Sequence, residues 1–223
     1  MKKLIAALSP ILCLFLTAIA VNGQGKPSAP DVTRITKGKG WKLVNREATV
    51  VEDGGKRAIR FDEKTGQGFA WIEGSDFTNG VIEIDIKGKN VLQRSFVGVA
   101  FRGVDEKTHD AVYFRPFNFK SEDPVRRIHA VQYVSHPNWT WNKLRQERNG
   151  VYEKAVNPVP DPDGWFHARI VIANRKVSVY VNDAKEPSLV VDELTDRRRG
   201  WVGLWVGEGS GGMFANLKII PAK

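Results

Sequence analysis

Apolar and polar residues alternate along most of the chain beyond about residue 40. The alternation is clearest in Val81–Lys87, where Ile82, Ile84 and Ile86 point to one side and charged residues fill the positions between them. A period of two predicts a β-strand with one buried face and one polar face. Asn79-Gly80 is a turn signal, so we expect the strand to begin just after it.

The same pattern predicts short strands along the rest of the chain. They are expected at residues 49–52, 58–61, 69–71, 95–102, 111–115, 128–134, 166–172, 176–181, 201–206 and 214–219. One short helix is expected over Trp141–Arg148, inside a long insertion between residues 135 and 163. Regular short strands separated by turn residues are typical of a sandwich, so we predict an all-β fold of two antiparallel sheets.

The N-terminus has the features of a secretory signal peptide. Lys2 and Lys3 supply a positive end, Leu4–Val21 is mostly apolar, and Ala18-Ile19-Ala20 is a small-x-small cleavage signal. We expect cleavage rather than a membrane anchor, and no later segment is long and apolar enough to span a bilayer. We therefore expect the protein to be secreted or periplasmic. The expected division is a signal peptide at 1–23, a linker at 24–36 and one domain at 37–223.

Cysteine content and charge narrow the chemistry. The single cysteine, Cys13, lies in the leader, so the mature chain has no internal disulfide and no cysteine-bound zinc. No EF-hand loop is present, and we expect no metal and no cofactor. The net charge is +9, and loss of the leader removes two lysines. In a secreted protein this charge favours an acidic polysaccharide or an anionic surface over nucleic acid, although it also fits simple solubility.

Three segments resemble the concanavalin A-like lectin and glucanase superfamily, in particular the laminin G-like and 3-keto-disaccharide hydrolase-like domains of secreted bacterial proteins. They are Phe77–Asp85, the run Gly200–Trp205 followed by Phe214–Ile219, and the hairpin Val177–Val181 with Asn182-Asp183. The resemblance covers about residues 37–221 and implies a jelly-roll sandwich. Calcium occurs in many relatives, but nothing in this sequence indicates a calcium site. The fold hosts lectins, hydrolases and interaction modules alike, so it implies carbohydrate without settling an activity.

Hydrolases of this superfamily carry Glu-x-Asp-x-x-Glu on one strand, because retaining cleavage needs two carboxylates about 5 Å apart. Glu83 and Asp85 match the first two positions, but Gly88 occupies the third. The alternative is that both acids lie on the solvated face of an amphipathic strand. His136, just past a strand end, is a candidate general base or merely an exposed histidine.

The candidate ligand-binding residues are arginines, amides and aromatic residues. By alternation Tyr113 and Arg115 share a face, and Arg102 is expected to join them if its strand pairs alongside. An arginine fork binds sugar hydroxyls, carboxylates or sulfates, although it also pairs with buried acids. Asn118, Gln132 and Tyr133 complete this group.

Tryptophans supply a second kind of candidate. Trp139 and Trp141 lie in the insertion, and Trp205 is expected to face the same side of the sheet as Tyr113. Flat indole faces stack on sugar rings, but the same residues can cap the edge of a sandwich.

The sequence leaves three functions open. The preferred one is a lectin-like domain that binds a poly- or oligosaccharide. The alternative is a glycoside hydrolase or related sugar-cleaving enzyme, whose carboxylate motif is incomplete here. The third is a laminin G-like protein-interaction domain. The oligomeric state is not predicted.

Overall fold

The computed structural model describes residues 26–222, so the expected signal peptide lies outside the described residues. Within them the chain forms two packed antiparallel sheets, which confirms the predicted all-β sandwich. The strands are β1 (Trp41–Val44), β2 (Ala48–Asp53), β3 (Lys56–Phe61), β4 (Gly68–Ile72), β5 (Gly80–Lys87), β6 (Val97–Gly103), β7 (Asp110–Phe114), β8 (Val131–Ser135), β9 (Glu153–Lys154), β10 (Phe166–Ala173), β11 (Lys176–Val181), β12 (Leu189–Asp192), β13 (Trp201–Val206) and β14 (Gly212–Pro221).

The two sheets have seven described strands each. Sheet 1 has the order β1-β4-β13-β6-β7-β8-β9, and sheet 2 has the order β12-β11-β10-β5-β14-β3-β2. Two short α-helices, α1 (Pro124–Arg127) and α2 (Trp141–Glu147), lie in the connections after β7 and β8. The side chain of Thr140 accepts a hydrogen bond from the Lys143 amide and so caps α2. Among residues 26–222, no helix is long and apolar enough to cross a membrane.

The core lies between the inner faces of the sheets. On sheet 1 the inward residues include Val99, Val112 and Leu204, all with no exposed surface. Phe114 of sheet 1 meets Phe166 of sheet 2 edge to face, with ring centroids 4.9 Å apart. These contacts set the parity of each strand, so the intervening residues of sheet 1 face outward.

A row of paired residues crosses the outer face of sheet 1. Register partners lie on the same face, and here they run Phe69, Trp205, Gly98, Tyr113, Gln132 and Glu153. Gly98 leaves room for its neighbour, because a Cβ there would lie 2.8 Å from the Cβ of Tyr113. Gly98 has no side chain, so the row lines up side chains from the other five strands.

The segment expected to be a linker packs partly onto the domain. Val32–Lys37 forms a 3₁₀ helix whose Val32 and Ile35 are buried. The amide of Ser28 also donates to the carbonyl of Ile219 at 2.9 Å. Two apolar residues three positions apart explain why this segment adds to the core.

Candidate functional site

Arg115 is the centre of a buried polar network on the outer side of sheet 1. It follows β7 and is only 4% exposed. Its Nη1 donates to the carbonyl of His129 at 2.8 Å, and its Nη2 donates to the hydroxyl of Tyr113 at 2.7 Å. Nη2 also donates to Oε1 of Gln132, and the Tyr113 hydroxyl donates to that same oxygen at 2.6 Å. We name this group, with Asn118 and Glu153, the Arg115 network.

Glu153 supplies the negative charge of the network. This β9 residue is 2% exposed, and its Oε2 lies 3.3 Å from Nη1 of Arg115 and 3.1 Å from Nη2 of Arg145. A buried carboxylate is tolerated only when paired in this way. Because both terminal nitrogens of Arg115 already donate to groups within the network, Arg115 is poorly placed to bind an anionic ligand itself.

His129 forms the edge of the network that faces Glu153. Its Nδ1 lies 2.8 Å from Oε2 of Glu153, although the angle is poor for a hydrogen bond. Burial lowers the pKa of His129, the Glu153 charge opposes this, and Arg145 and Arg115 lower the pKa further. The imidazole is therefore neutral at pH 7, with Nε2 as the ring atom directed away from Glu153.

Besides Nδ1 of His129, two side-chain polar atoms of the network have no partner among residues 26–222. They are Nε2 of Gln132 and Oδ1 of Asn118, both buried. The other polar atom of each side-chain amide is hydrogen-bonded. Oε1 of Gln132 accepts two hydrogen bonds, and Nδ2 of Asn118 donates to the His129 carbonyl at 3.2 Å. A buried donor and acceptor left unpaired cost about 1–3 kcal/mol each unless something binds them. The network thus holds one unpaired amide donor and one unpaired amide acceptor, both buried.

Aromatic rings border the network on the side of β13. The rings of Trp205 and Tyr113 are 4.9 Å apart, as expected from their shared face. Trp205 Nε1 donates to Oε1 of Gln67 at 2.8 Å, which fixes the indole plane. Phe96 packs edge-on against Tyr113 at 6.2 Å.

A second group of aromatic and histidine side chains lies farther along the same face. His109 has no exposed surface and stacks on His136 with ring centroids 4.8 Å apart. Phe69 contacts the edge of His109 and stacks on Trp71 at 4.9 Å. Both ring nitrogens of His109 and Nε1 of Trp71 are buried without a partner among the described residues. Burial lowers the pKa of His109 to about 3, so its ring is neutral.

The predicted tryptophans of the insertion lie on and beside α2. Trp141 is 49% exposed and packs under Arg145, whose guanidinium carbon lies 5.2 Å from the ring centroid. Trp139 is partly buried under Arg148 at 4.4 Å. Since Arg145 also contacts Glu153, α2 connects Trp141 to the Arg115 network.

Other sequence candidates lie elsewhere. Glu83 and Asp85 are on β5 of sheet 2, so the sandwich separates them from the outer face of sheet 1, where His136 lies. Asp85 accepts hydrogen bonds from His167 and Lys56, and Lys218 lies 3.4 Å from Glu83. The three candidate catalytic residues are therefore not assembled into one centre.

Arg102 and Tyr133 point inward rather than outward. Arg102 has no exposed surface, and its Nη2 lies 2.8 Å from Oε1 of Glu193. The expected shared face of Arg102 and Tyr113 is thus wrong, because a left-handed φ of 49° at Arg102 and a register shift beside it break the alternation. The Tyr133 hydroxyl accepts from the Leu194 amide at 3.4 Å.

Sequence reasoning gave no site role to Glu153, Arg145, His129 or His109. Glu153 lies in a two-residue strand, which is too short to give a periodic signal. Among residues 26–222 no group of three or more His, Cys, Asp or Glu side chains is arranged to hold a metal ion.

Fold and sequence comparisons together define the class. The two packed antiparallel sheets, and the jelly-roll sandwich they share with solved structures, agree with the fold that the sequence resemblance implied. More specifically, the chain belongs to the family of 3-keto-alpha-glucoside-1,2-lyase-like domains, whose sequence model matches residues 34–220. No curated protein sequence shows significant similarity to the chain.

Solved structures of low sequence identity share the fold. The carbohydrate-binding module CBM66 from Bacillus subtilis is 16% identical, with a TM-score of 0.58 over 81% of this chain and 95% of that one. The lumenal domain of VIP36, in a form with Ca²⁺ and Man3GlcNAc, is 11% identical, with a TM-score of 0.52 over 82% and 84%. A protein of unknown function with a galectin-like fold, also from Bacillus subtilis, is 12% identical, with a TM-score of 0.54 over 86% and 98%.

Proposed function

We propose that this protein is a secreted, lectin-like domain that binds a poly- or oligosaccharide on the outer face of sheet 1, at the Arg115 network. One observation carries the proposal. Gln132 and Asn118 hold a buried donor and a buried acceptor, both without partners among residues 26–222, beside the paired rings of Trp205 and Tyr113. Sugar hydroxyls both donate and accept, and the apolar face of a pyranose stacks on aromatic rings.

The state of Arg115 favours a neutral sugar at the network. Its two terminal nitrogens already serve four acceptors, so they have no free hydrogen-bond donor for an anionic ligand. Its role is to hold Gln132 and Tyr113 in place, which is a positioning role. An acidic polysaccharide would instead need the exposed basic side chains outside the network, and the net charge of the chain supports that only in general terms.

The relatives support a sugar ligand by what their names state. CBM66 is named as a carbohydrate-binding module, and the VIP36 domain is described with Man3GlcNAc bound. These proteins share the fold at low identity, so the specific glycan of this chain rests on its own residues.

A glycan panel tests the proposal. The protein, as expressed and processed, is titrated by calorimetry with neutral, uronate-containing and sulfated oligosaccharides. We expect saturable binding of neutral sugars, reduced at least tenfold by Gln132→Leu, whereas Ser178→Ala on sheet 2 changes nothing. Binding of sulfated glycans alone would overturn the assignment to the Arg115 network. If no glycan in the panel binds, the favoured function becomes a laminin G-like domain that binds a protein partner.

A second candidate function is cleavage of the bound sugar, and the His129–Glu153 pair favours it. A neutral imidazole whose Nδ1 faces a carboxylate is oriented to act as a base through Nε2. The family is named for lyase activity at C1 and C2 of 3-keto-α-glucosides. In such a sugar the C3 ketone acidifies the C2–H bond. His129 would take that proton, the electron pair would form a C1=C2 double bond, the C1–O bond would break, and the leaving oxygen would take a proton.

Turnover separates the two functions. Released sugar is followed by mass spectrometry with α-glucosides and their 3-keto derivatives as substrates. If His129 is the base, His129→Gln abolishes release and leaves ground-state binding within about threefold. Binding without release from either substrate would leave the lectin-like function alone.

A further inference from the structure

An open pocket lies among the β3–β4, β5–β6 and β13–β14 connections, at one end of the sandwich. It has a volume of ≈ 450 Å³. Its lining comes from three loop segments: Glu63 to Thr65, Leu92 to Arg94, and Glu208 with Gly209. A volume in this range is typical of small-molecule sites, which span about 300–1,000 Å³.

Each of the three segments that line the pocket lies close in sequence to a residue that borders the candidate site. The first wall leads to Gln67, which accepts the hydrogen bond from Trp205 Nε1. The second leads to Phe96, which packs on Tyr113. The third begins at Gly207, where a Cβ would lie 3.1 Å from Cη2 of Trp205. The three loops that line the pocket thus run into residues that contact the rings of Trp205 and Tyr113, which border the Arg115 network.

A buried arginine holds these walls together. Arg46 is 5% exposed, and its Nη2 donates to the carbonyls of Gly66 at 2.7 Å and Gly207 at 2.9 Å. Its Nε donates to the carbonyl of Ser210 at 3.2 Å. The loops on two sides of the pocket are therefore tied to one rigid guanidinium, so the pocket is largely preformed.

The lining chemistry matches a neutral, hydroxyl-rich ligand. Two cations, Lys64 and Arg94, and two anions, Glu63 and Glu208, balance in charge. Arg94 and Glu208 are exposed and form no ion pair with residues 26–222, and Leu92 adds an apolar surface that is 55% exposed. Guanidinium and carboxylate groups bind vicinal hydroxyls, and an aliphatic side chain packs against the C–H face of a sugar.

We propose that this pocket is a second subsite, which takes a further sugar unit of a chain whose first unit lies at the Arg115 network. The proposal rests on the proposed function. It assigns a chain-length preference to the protein, with Trp205 and Phe96 between the two units and Arg94 and Glu208 as the polar contacts of the outer unit.

A length series tests the subsite. Binding of α- and β-linked gluco-oligosaccharides of one to four units is measured by calorimetry on the whole protein. We expect affinity to rise at least tenfold between one unit and three. Arg94→Ala and Glu208→Gln each remove most of that gain and leave the affinity for the shortest ligand within twofold. Arg34→Ala and Glu186→Gln, matched changes at exposed positions outside the pocket, leave the series unchanged.

A second readout locates the contact. In ¹⁵N-labelled protein, the side-chain Nε–H signal of Arg94 is expected to shift with the trisaccharide and to stay in place with the monosaccharide. Equal affinity at every length, or a series unaffected by Arg94→Ala and Glu208→Gln, overturns the subsite and leaves the proposed function standing. If no oligosaccharide of any length binds, the Arg115 network does not bind the first unit either, and both the subsite and the proposed function are overturned.

Discussion

The hydroxyl of Tyr113 accepts a hydrogen bond from Nη2 of Arg115 at 2.7 Å. The same hydroxyl donates to Gln132 at 2.6 Å, so the oxygen of that amide must be the atom facing inward. Arg115 donates to the same oxygen, and two donors leave no alternative orientation for the amide. The NH₂ group of Gln132 therefore points away from the network as a donor with a fixed direction.

Tyr113→Phe tests this orientation. The change removes one of the two donors that hold Gln132 and keeps the aromatic ring against Trp205. We expect sugar affinity to fall about tenfold, and the free energy of unfolding to fall by about 1 kcal/mol for the lost hydrogen bond. Tyr180→Phe, on the outer face of sheet 2, is the matched control and should leave affinity unchanged. Unchanged affinity in Tyr113→Phe would show that the amide does not contact the ligand.

The period-two pattern predicted most of the strands, and it is clearest in sheet 2, where buried apolar residues of β5 and β11 alternate with more exposed ones. Lys176–Val181 and Trp201–Val206 were predicted with their observed bounds. The strands β1, β9 and β12 were missed, since each has four residues or fewer and lies at a sheet edge.

The site was less accessible from sequence for two physical reasons. Alternation fails wherever the backbone leaves the extended region, as at Arg102 with its positive φ, and one such residue redirects a side chain from the outer face to the core. Partnerships such as those of Glu153 with Arg145 and His129 depend on how loops return to the sheet. No local sequence pattern encodes how these loops pack against the sheet.

Removing Arg102 should destabilise the fold strongly. Its guanidinium is wholly buried and pairs with Glu193, which is 1% exposed at its side chain, while Nε donates to the Thr78 carbonyl at 3.0 Å. Arg102→Met leaves a buried carboxylate with one remaining partner, Arg198, so we expect a loss of about 3–5 kcal/mol in urea unfolding.

The exposed pair Arg199–Asp76 provides the control for this loss. Arg199→Ala should change the free energy of unfolding far less, because solvent screens that pair. The double variant Arg102→Met with Glu193→Gln should recover part of the stability, since it removes the unpaired charge. A loss in the double variant equal to that of Arg102→Met alone would contradict the buried-charge explanation.

The His167–Asp85 pair on sheet 2 should make stability depend on pH. Nδ1 of His167 lies 2.8 Å from Oδ1 of Asp85. This contact raises the pKa of His167. Burial alone would raise the pKa of Asp85, but hydrogen bonds from His167, Lys56 and Asn216 outweigh it and lower that pKa. The pair stabilises the fold fully between the unfolded-state pKa values, about 4 for Asp and about 6.5 for His.

The stabilisation is lost as pH rises through the raised pKa of His167 and as pH falls through the lowered pKa of Asp85. We therefore expect the difference in unfolding free energy between the wild type and His167→Gln to be constant from pH 4.5 to 6 and to shrink by pH 9. Its size should stay below about 1 kcal/mol, because His167 is partly exposed. Ser178→Ala, with no titrating group, should give a flat difference. A difference that grows toward pH 9 would reverse the assigned sign.

His109 should make the protein sensitive to acid. Its folded-state pKa is about 3, because burial disfavours the charged ring and His136 and Arg197 add to the effect. The unfolded chain takes up the proton near pH 6.5, so the stability held above that pH is lost as the pH falls toward 3. The loss should reach about 2 kcal/mol by pH 5. His109→Leu removes the titrating ring and with it this loss. As the pH falls from 7 to 5, the free energy of unfolding of this variant, measured in urea, should therefore rise by about that amount relative to the wild type. His136→Leu, at a less buried ring, should gain less, and an equal gain would show that burial of His109 is not the cause.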